Sequence, residues 1–245
     1  MKIDTLLTPA ELPALARRDL RGTACVVFDV LRATSTFVTA LHNGAQAVIP
    51  VSEIPEAIAF REKLPDALLA GERDGVRIRA TRSGGADFDF GNSPREFSRE
   101  KVRGKIIVST TTNGTRALRA CAGAKIILAA SFLNLAATAR FLNQSPPEEI
   151  LLVCAGTYDG TALEDVLAAG ALAGLVGGEF SDATEIASRT YLSAKNDLPA
   201  TLASSQNARR LLAMPELRAD VAFCAQRDVF KRVAAMGADG AIRLR

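Results

Sequence analysis

Tryptophan is absent from the 245 residues, histidine occurs once and tyrosine twice. So few rings leave little for unpaired bases to stack on, which argues against a single-strand nucleic-acid binder. Charge argues the same way, because 30 basic against 27 acidic residues leave a formal +3, too little to imply a nucleic-acid partner. Long apolar runs are missing too. A charged residue interrupts every candidate before the roughly 18 uncharged positions that a bilayer crossing requires, including the Ala/Gly/Leu stretch 166–178. The opening Met1-Lys2-Ile3-Asp4 meets an acid early, without an apolar run before a small-residue cleavage site, so a cytoplasmic protein is expected.

Cysteine is scarce and scattered. Cys25, Cys121, Cys154 and Cys224 form none of the close pairs that zinc or dithiol redox sites use, and two of them lie in Ala24-Cys25-Val26-Val27-Phe28 and Leu151-Leu152-Val153-Cys154. Buried core thiols are expected. The lone His42 precedes Asn43-Gly44 at the end of a helix-like segment, a structural position, and no Gly-x-Ser-x-Gly elbow occurs. Histidine-based hydrolysis is therefore disfavoured.

What the chain does contain is 48% hydrophobic and 23% charged residues over a length suited to one α/β domain, residues 1–245. Strand-length apolar runs at 24–28, 47–51, 67–70, 105–109, 124–129 and 150–154 alternate with helix-period segments at 34–42, 55–64, 115–121, 134–142 and 163–176. Continuous Val/Ile/Leu strands alternating with amphipathic helices predict a Rossmann-like, mainly parallel sheet with helices on both faces. Residues 71–98 are polar, rich in Gly, Asp and Arg, and aperiodic, which marks an active-site excursion. The C-terminal part, 181–245, reads as helical to about 214, with a closing strand pair around Gly237-Ala238-Asp239-Gly240. No internal repeat is visible.

Ligands of open parallel sheets bind beyond the carboxyl ends of the strands, so the residues following each apolar run carry the chemistry. One run is followed by Asp29-Val30-Leu31-Arg32-Ala33-Thr34-Ser35, another by Thr111-Thr112-Asn113-Gly114-Thr115-Arg116, a third by Gly71-Glu72-Arg73, and a fourth by Ala155-Gly156-Thr157 with Glu164-Asp165 beyond. Hydroxyls and amides at a helix start bind oxyanions, but they also serve simply as N-caps. An Arg within the same turn favours the anion. Arginine outnumbers lysine 23 to 7, and its planar fork suits carboxylate, phosphate or sulfonate, although codon usage alone can produce such a surplus. Asp29, Glu72, Glu164 and Asp165 are hard oxygen ligands suited to Mg²⁺, with helix-dipole complementation as the alternative for the Glu-Asp pair.

The ordered set Asp29 to Ser35, Gly71-Glu72-Arg73, Phe88-Asp89-Phe90-Gly91-Asn92-Ser93-Pro94, Thr111 to Thr115, and Cys154-Ala155-Gly156 with Glu164-Asp165 resembles the 2-phosphosulfolactate phosphatase (ComB) family. That resemblance implies a Mg²⁺-dependent hydrolase converting 2-phospho-3-sulfolactate to 3-sulfolactate, a step towards coenzyme M in organisms that make it. It points to Asp29, Arg32, Glu72, Asn92, Ser93, Thr112, Asn113, Arg116, Glu164 and Asp165 as the site. Leu31, two positions after Asp29, agrees with a scaffold other than that of haloacid dehalogenases. From chemistry, Asp29, Glu164 and Asp165, with Glu72, are the expected metal ligands. Arg32 and Arg116 with Thr34, Ser35, Thr112, Asn113 and Gly114 would clamp phosphate, Arg73 and Asn92 would reach the sulfonate or carboxylate, and Ser93 is a further substrate-binding candidate. Asp87 stands where the family prefers glycine, in a loop of the kind that sets substrate preference. The alternatives are a phosphatase of another small phosphorylated hydroxy acid and a non-catalytic binder of small anions. Homo-oligomerisation is left open.

Overall fold

The computed structural model describes residues 1–245. The strands are β1 (Lys2–Leu6), β2 (Thr23–Phe28), β3 (Ala47–Pro50), β4 (Leu68–Arg73), β5 (Val76–Arg77), β6 (Ile106–Thr110), β7 (Ile126–Ala130), β8 (Glu149–Cys154), β9 (Glu179–Phe180), β10 (Ala234–Met236) and β11 (Ile242–Leu244), of which β2, β3, β4, β6, β7 and β8 are the six apolar runs. Among them run helices α1 (Leu12–Leu15), α2 (Ala33–His42), α3 (Ile54–Lys63), α4 (Ala80–Ser83), α5 (Arg99–Val102), α6 (Gly114–Ala120), α7 (Leu135–Gln144), α8 (Leu163–Val176), α9 (Asp182–Ala194), α10 (Leu198–Ala203), α11 (Gln206–Leu212) and α12 (Arg218–Cys224). The expected α/β fold is present, and none of its helices is long and apolar enough to cross a membrane.

One sheet runs in the order β5-β4-β6-β3-β11-β10-β7-β2-β8-β1-β9. It consists of two parallel blocks, β4-β6-β3 and β7-β2-β8-β1-β9, joined by the antiparallel C-terminal hairpin. Ala234 pairs with Ala129 on one side of that hairpin and Ile242 with Val48 on the other. The closing strand pair expected from the sequence thus lies in the middle of the sheet. The short lead-in also becomes a strand, β1, which pairs with β8 in parallel from Lys2 opposite Glu149 to Leu6 opposite Val153.

Every residue of β2 is buried, with Ala24, Val26 and Phe28 facing one core and Cys25 and Val27 the other. The first core is closed by α7 to α12, the second by α1, α2 and α6, so both faces are covered as a buried parallel sheet requires. All four cysteines are free and buried in these cores. His42 ends α2 and packs its ring 4.2 Å from that of Phe230, and partial burial lowers its pKa. The polar excursion is itself folded. After the β4–β5 turn, Phe88 and Phe90 bury, and the Phe90 N–H donates to Leu69 O at 3.1 Å, which returns the chain to the sheet with Asn92 behind it.

Helices α8 and α9 approach so closely that a Cβ on Gly170 would sit 2.0 Å from the Ala187 carbonyl oxygen. Glycine there accepts a weaker helix in return for close packing. Gly170→Ala should therefore lower stability by about 1–3 kcal/mol, outweighing the roughly 1 kcal/mol gained in helix propensity, as read from the urea midpoint. An unchanged or raised midpoint would contradict this packing.

Candidate active site

The carboxyl ends of the strands open onto a small polar cleft. It draws on both parallel blocks: Asp29, Gly156 and Thr157 follow β2 and β8, while Glu72 lies in β4 and Thr112 and Asn113 follow β6. A crevice between strand groups is where open α/β sheets bind ligands. Asn113 ties its two sides together, its Nδ2 donating to Ala155 O at 2.8 Å and Tyr158 O at 2.7 Å.

Asp29 and Glu72 are the buried acids of this cleft, 8% and 7% exposed. The α2 terminus expected to receive phosphate is already capped by Asp29: Ala33 N–H donates to Asp29 Oδ1 at 3.0 Å and Thr34 N–H to Asp29 O at 3.0 Å. Thr34 Oγ1 accepts the Asp29 N–H at 3.0 Å, and Ser35 Oγ donates to Val30 O at 2.8 Å. These hydroxyls hold the loop, as the capping alternative would have it. Asp29 Oδ2 forms no hydrogen bond, and a Cβ on Gly114 would lie 2.5 Å from it, so only glycine lets α6 start this close. Burial, reinforced by Glu72 and Glu164, raises the Asp29 pKa to about 7 against the pull of the Ala33 N–H and the Arg32 charge.

The other acids differ in what they hold. Glu72 Oε1 accepts from Thr112 N–H at 2.9 Å and Thr112 Oγ1 at 3.0 Å, and its Oε2 accepts from Gly75 N–H at 2.7 Å, which joins β4 to the start of α6. Glu164 Oε1 accepts from Asn207 Nδ2 at 2.9 Å, while its Oε2 is buried without a partner. Asp165 accepts Val30 N–H at 2.8 Å and Gly156 N–H at 3.0 Å. It lies behind the cleft as a brace between the loops after β2 and β8, its pKa driven well up by burial, Glu164 and Asp29.

The arginines depart furthest from expectation. Arg32 lines the cleft, but Nη1 is paired with the fully buried Asp220 at 2.8 Å and Nη2 donates to Gly75 O at 2.7 Å. Ser93 Oγ also donates to Asp220 at 2.7 Å, so Ser93 serves this ion pair, and Asn92 alone of the two offers its side chain to the acid-lined cleft. Arg73 turns away from it, donating to Glu72 O, Thr110 O and Oγ1, and Ser52 O. Arg116 is exposed on the outer side of α6 and absent from the lining. Sequence position placed these side chains near the site, while rotamer and partner chose another direction.

A cage of four carboxylates around one ion is not formed, since no three Asp, Glu, His or Cys side chains stand close enough to share a metal. The donors present nevertheless fit a hard divalent ion held the way Mg²⁺ usually is, by one or two carboxylates with water and phosphate completing the shell. Asp29 Oδ2 has no hydrogen bond, Glu164 Oε2 is an orphaned buried acceptor, and Glu72 adds a third charge nearby. Sequence reading missed Asp74, Tyr158, Asn207 and Arg210, which complete the lining, and Asp220 beneath it. Asp74 and Tyr158 directly follow two of the strand-end segments, whereas Asn207, Arg210 and Asp220 are brought in only by the return of α11 and α12 over the strand ends.

A strand-end cleft rich in carboxylates, amides and hydroxyls defines an α/β enzyme of small anionic substrates. A family model described as 2-phosphosulpholactate phosphatase matches residues 7–238. A probable 2-phosphosulfolactate phosphatase of Thermotoga petrophila is 44% identical over 209 residues, 85% of this chain and 86% of the relative. Those of Clostridium acetobutylicum and a Synechococcus strain are 33% and 35% identical, covering 95% and 100% of this chain and 96% and 100% of theirs. The chain belongs to the 2-phosphosulfolactate phosphatase family, and with it to the phosphoric monoester hydrolases.

Asp220→Ala would leave the Arg32 guanidinium buried without its counter-charge. A loss of about 3–5 kcal/mol in denaturant unfolding is expected, and a loss under 1 kcal/mol would show that the ion pair does not hold the cleft wall.

Proposed function

We propose that this chain hydrolyses 2-phospho-3-sulfolactate to 3-sulfolactate and inorganic phosphate, with Mg²⁺ as its ion. The observation that carries the proposal is Asp29: a carboxylate anchored through one oxygen, with the other free of hydrogen bonds, in a cleft where burial first, and then the neighbouring acids, push its pKa to about 7. Such an excess of buried negative charge is relieved by a cation, and a non-catalytic anion binder would gain nothing from it. Mg²⁺ supplies electrophilic neutralisation of the phosphoryl oxygens.

Asp29 would hold the ion, while Glu72, kept in place by the Thr112 and Gly75 N–H groups, and Glu164, kept in place by Asn207, would add negative charge nearby. Arg32 contributes its charge from the cleft wall. Asn92 lines the cleft with a side chain that makes no hydrogen bond within the fold, which makes it a donor for a phosphoryl oxygen. Asp165 takes no part in the reaction in this reading; it keeps the Asp29 and Gly156 loops at a fixed separation. In the reaction, a water oxygen joins phosphorus, the ester P–O bond breaks, and the leaving alkoxide takes up a proton.

Phosphate release from phosphosulfolactate and from a panel of other phosphorylated hydroxy acids, first with Mg²⁺ and then with EDTA, tests this directly. Turnover should be highest on phosphosulfolactate, disappear with EDTA, and fall at least about a hundredfold in Asp29→Asn. Metal-independent turnover, or an Asp29→Asn variant with full activity, would remove the carboxylate assignment. Preference for another hydroxy acid would replace the substrate.

A further inference from the structure

A substrate carrying phosphate, carboxylate and sulfonate needs a cation beyond those that serve the phosphorus, because an anionic group left unpaired in a cleft is costly. Arg32 is engaged with Asp220, Arg73 with carbonyls, and Arg116 faces outward. The guanidinium that the cleft keeps uncommitted is Arg210, on α11. Its Nη1 donates to the Tyr158 hydroxyl at 3.2 Å, no carboxylate pairs with it, and its Nε is buried with no acceptor. The nearby Asp74 is paired with Arg82, both of whose terminal nitrogens donate to its Oδ2 at 3.0 Å, and its Oδ1 accepts from the Tyr158 hydroxyl at 3.4 Å. A buried donor without a partner is destabilising, and at the wall of a cleft a ligand can satisfy it.

We propose that Arg210 is the specificity residue that grips the sulfonate of the substrate, a role that rests on the substrate reading above. Placement selects the sulfonate over the carboxylate. Asp29 lies deep, whereas Arg210 is half-buried at the cleft mouth, its Nη2 only 3.3 Å from where a Cβ on Gly75 would stand across the opening. The carboxylate shares its carbon with the phosphate ester and stays near the floor. The sulfonate extends one methylene further and reaches the rim. There the guanidinium fork, oriented by Tyr158, offers its unused N–H groups to the sulfonate oxygens.

The test compares wild type, Arg210→Gln and Arg210→Lys on three phosphate esters with Mg²⁺: 2-phosphosulfolactate, 2-sulfoethyl phosphate, which lacks the carboxylate, and 2-phospholactate, which lacks the sulfonate. Arg210→Gln should lower kcat/KM about a hundredfold, mainly through KM, on the two sulfonates while leaving phospholactate within about threefold, which also reports an intact fold. Arg210→Lys should recover part of the loss. Equal loss on all three esters, loss confined to those bearing a carboxylate, or no loss on any would overturn the assignment while leaving the substrate reading in place. A wild type indifferent to the sulfonate would sink the substrate reading, and this assignment with it.

Discussion

Burial raises the pKa of Asp29, and two further carboxylates, Glu72 in the same cleft and Glu164 buried beside it, come near enough to raise it more. Mutual repulsion in such a place is offset only by fixed dipoles, by a cation, or by a proton. The first turn of α2 supplies the dipoles, its Ala33 N–H fixed on one Asp29 oxygen. A proton or a divalent ion supplies the rest. Much of the surrounding structure follows from holding this charge in place: Gly114, because a side chain there would strike Asp29 Oδ2, and Asp165, because its two backbone hydrogen bonds keep the loops after β2 and β8 from spreading.

The cleft is also a joint. Its acids come from both parallel blocks, which meet through an antiparallel hairpin from the end of the chain. The same C-terminal third sends Asn207 to Glu164, Arg210 to the mouth and Asp220 to Arg32. Completing the site thus requires the last part of the chain to dock, a stability–function coupling in which the buried Arg32–Asp220 pair holds the wall rather than the substrate.

Strand and helix periods made the architecture legible, because burial on both faces forces continuous apolar runs such as those of β2 and β8 and leaves caps and polar turns between them. The cleft acids at strand ends were legible for the same reason: Asp29 and Glu72 stand where a parallel sheet presents its ligands. Direction was not. Arg73 and Arg116 sit beside site residues in sequence, yet Arg73 finds carbonyls of β4 and β6 and Arg116 lies on the solvent side of a helix whose inner face is apolar. Nor could a local pattern place the terminal hairpin mid-sheet or choose Asp220 as the partner of a residue 188 positions away. Such pairings are set by packing between distant elements, to which period and composition are blind.

The central claim is that Asp29 carries a charge the fold alone does not neutralise. Because its native pKa lies near 7 rather than 3.8, the native state binds this proton more tightly than the unfolded chain, and the stability it contributes below about pH 4 is lost as the pH rises towards 7. Carboxyl ¹³C NMR of the metal-free protein follows this group directly. The account predicts an Asp29 midpoint near 7 that moves sharply downward when Mg²⁺ is added; a midpoint near 4, unmoved by Mg²⁺, would contradict it.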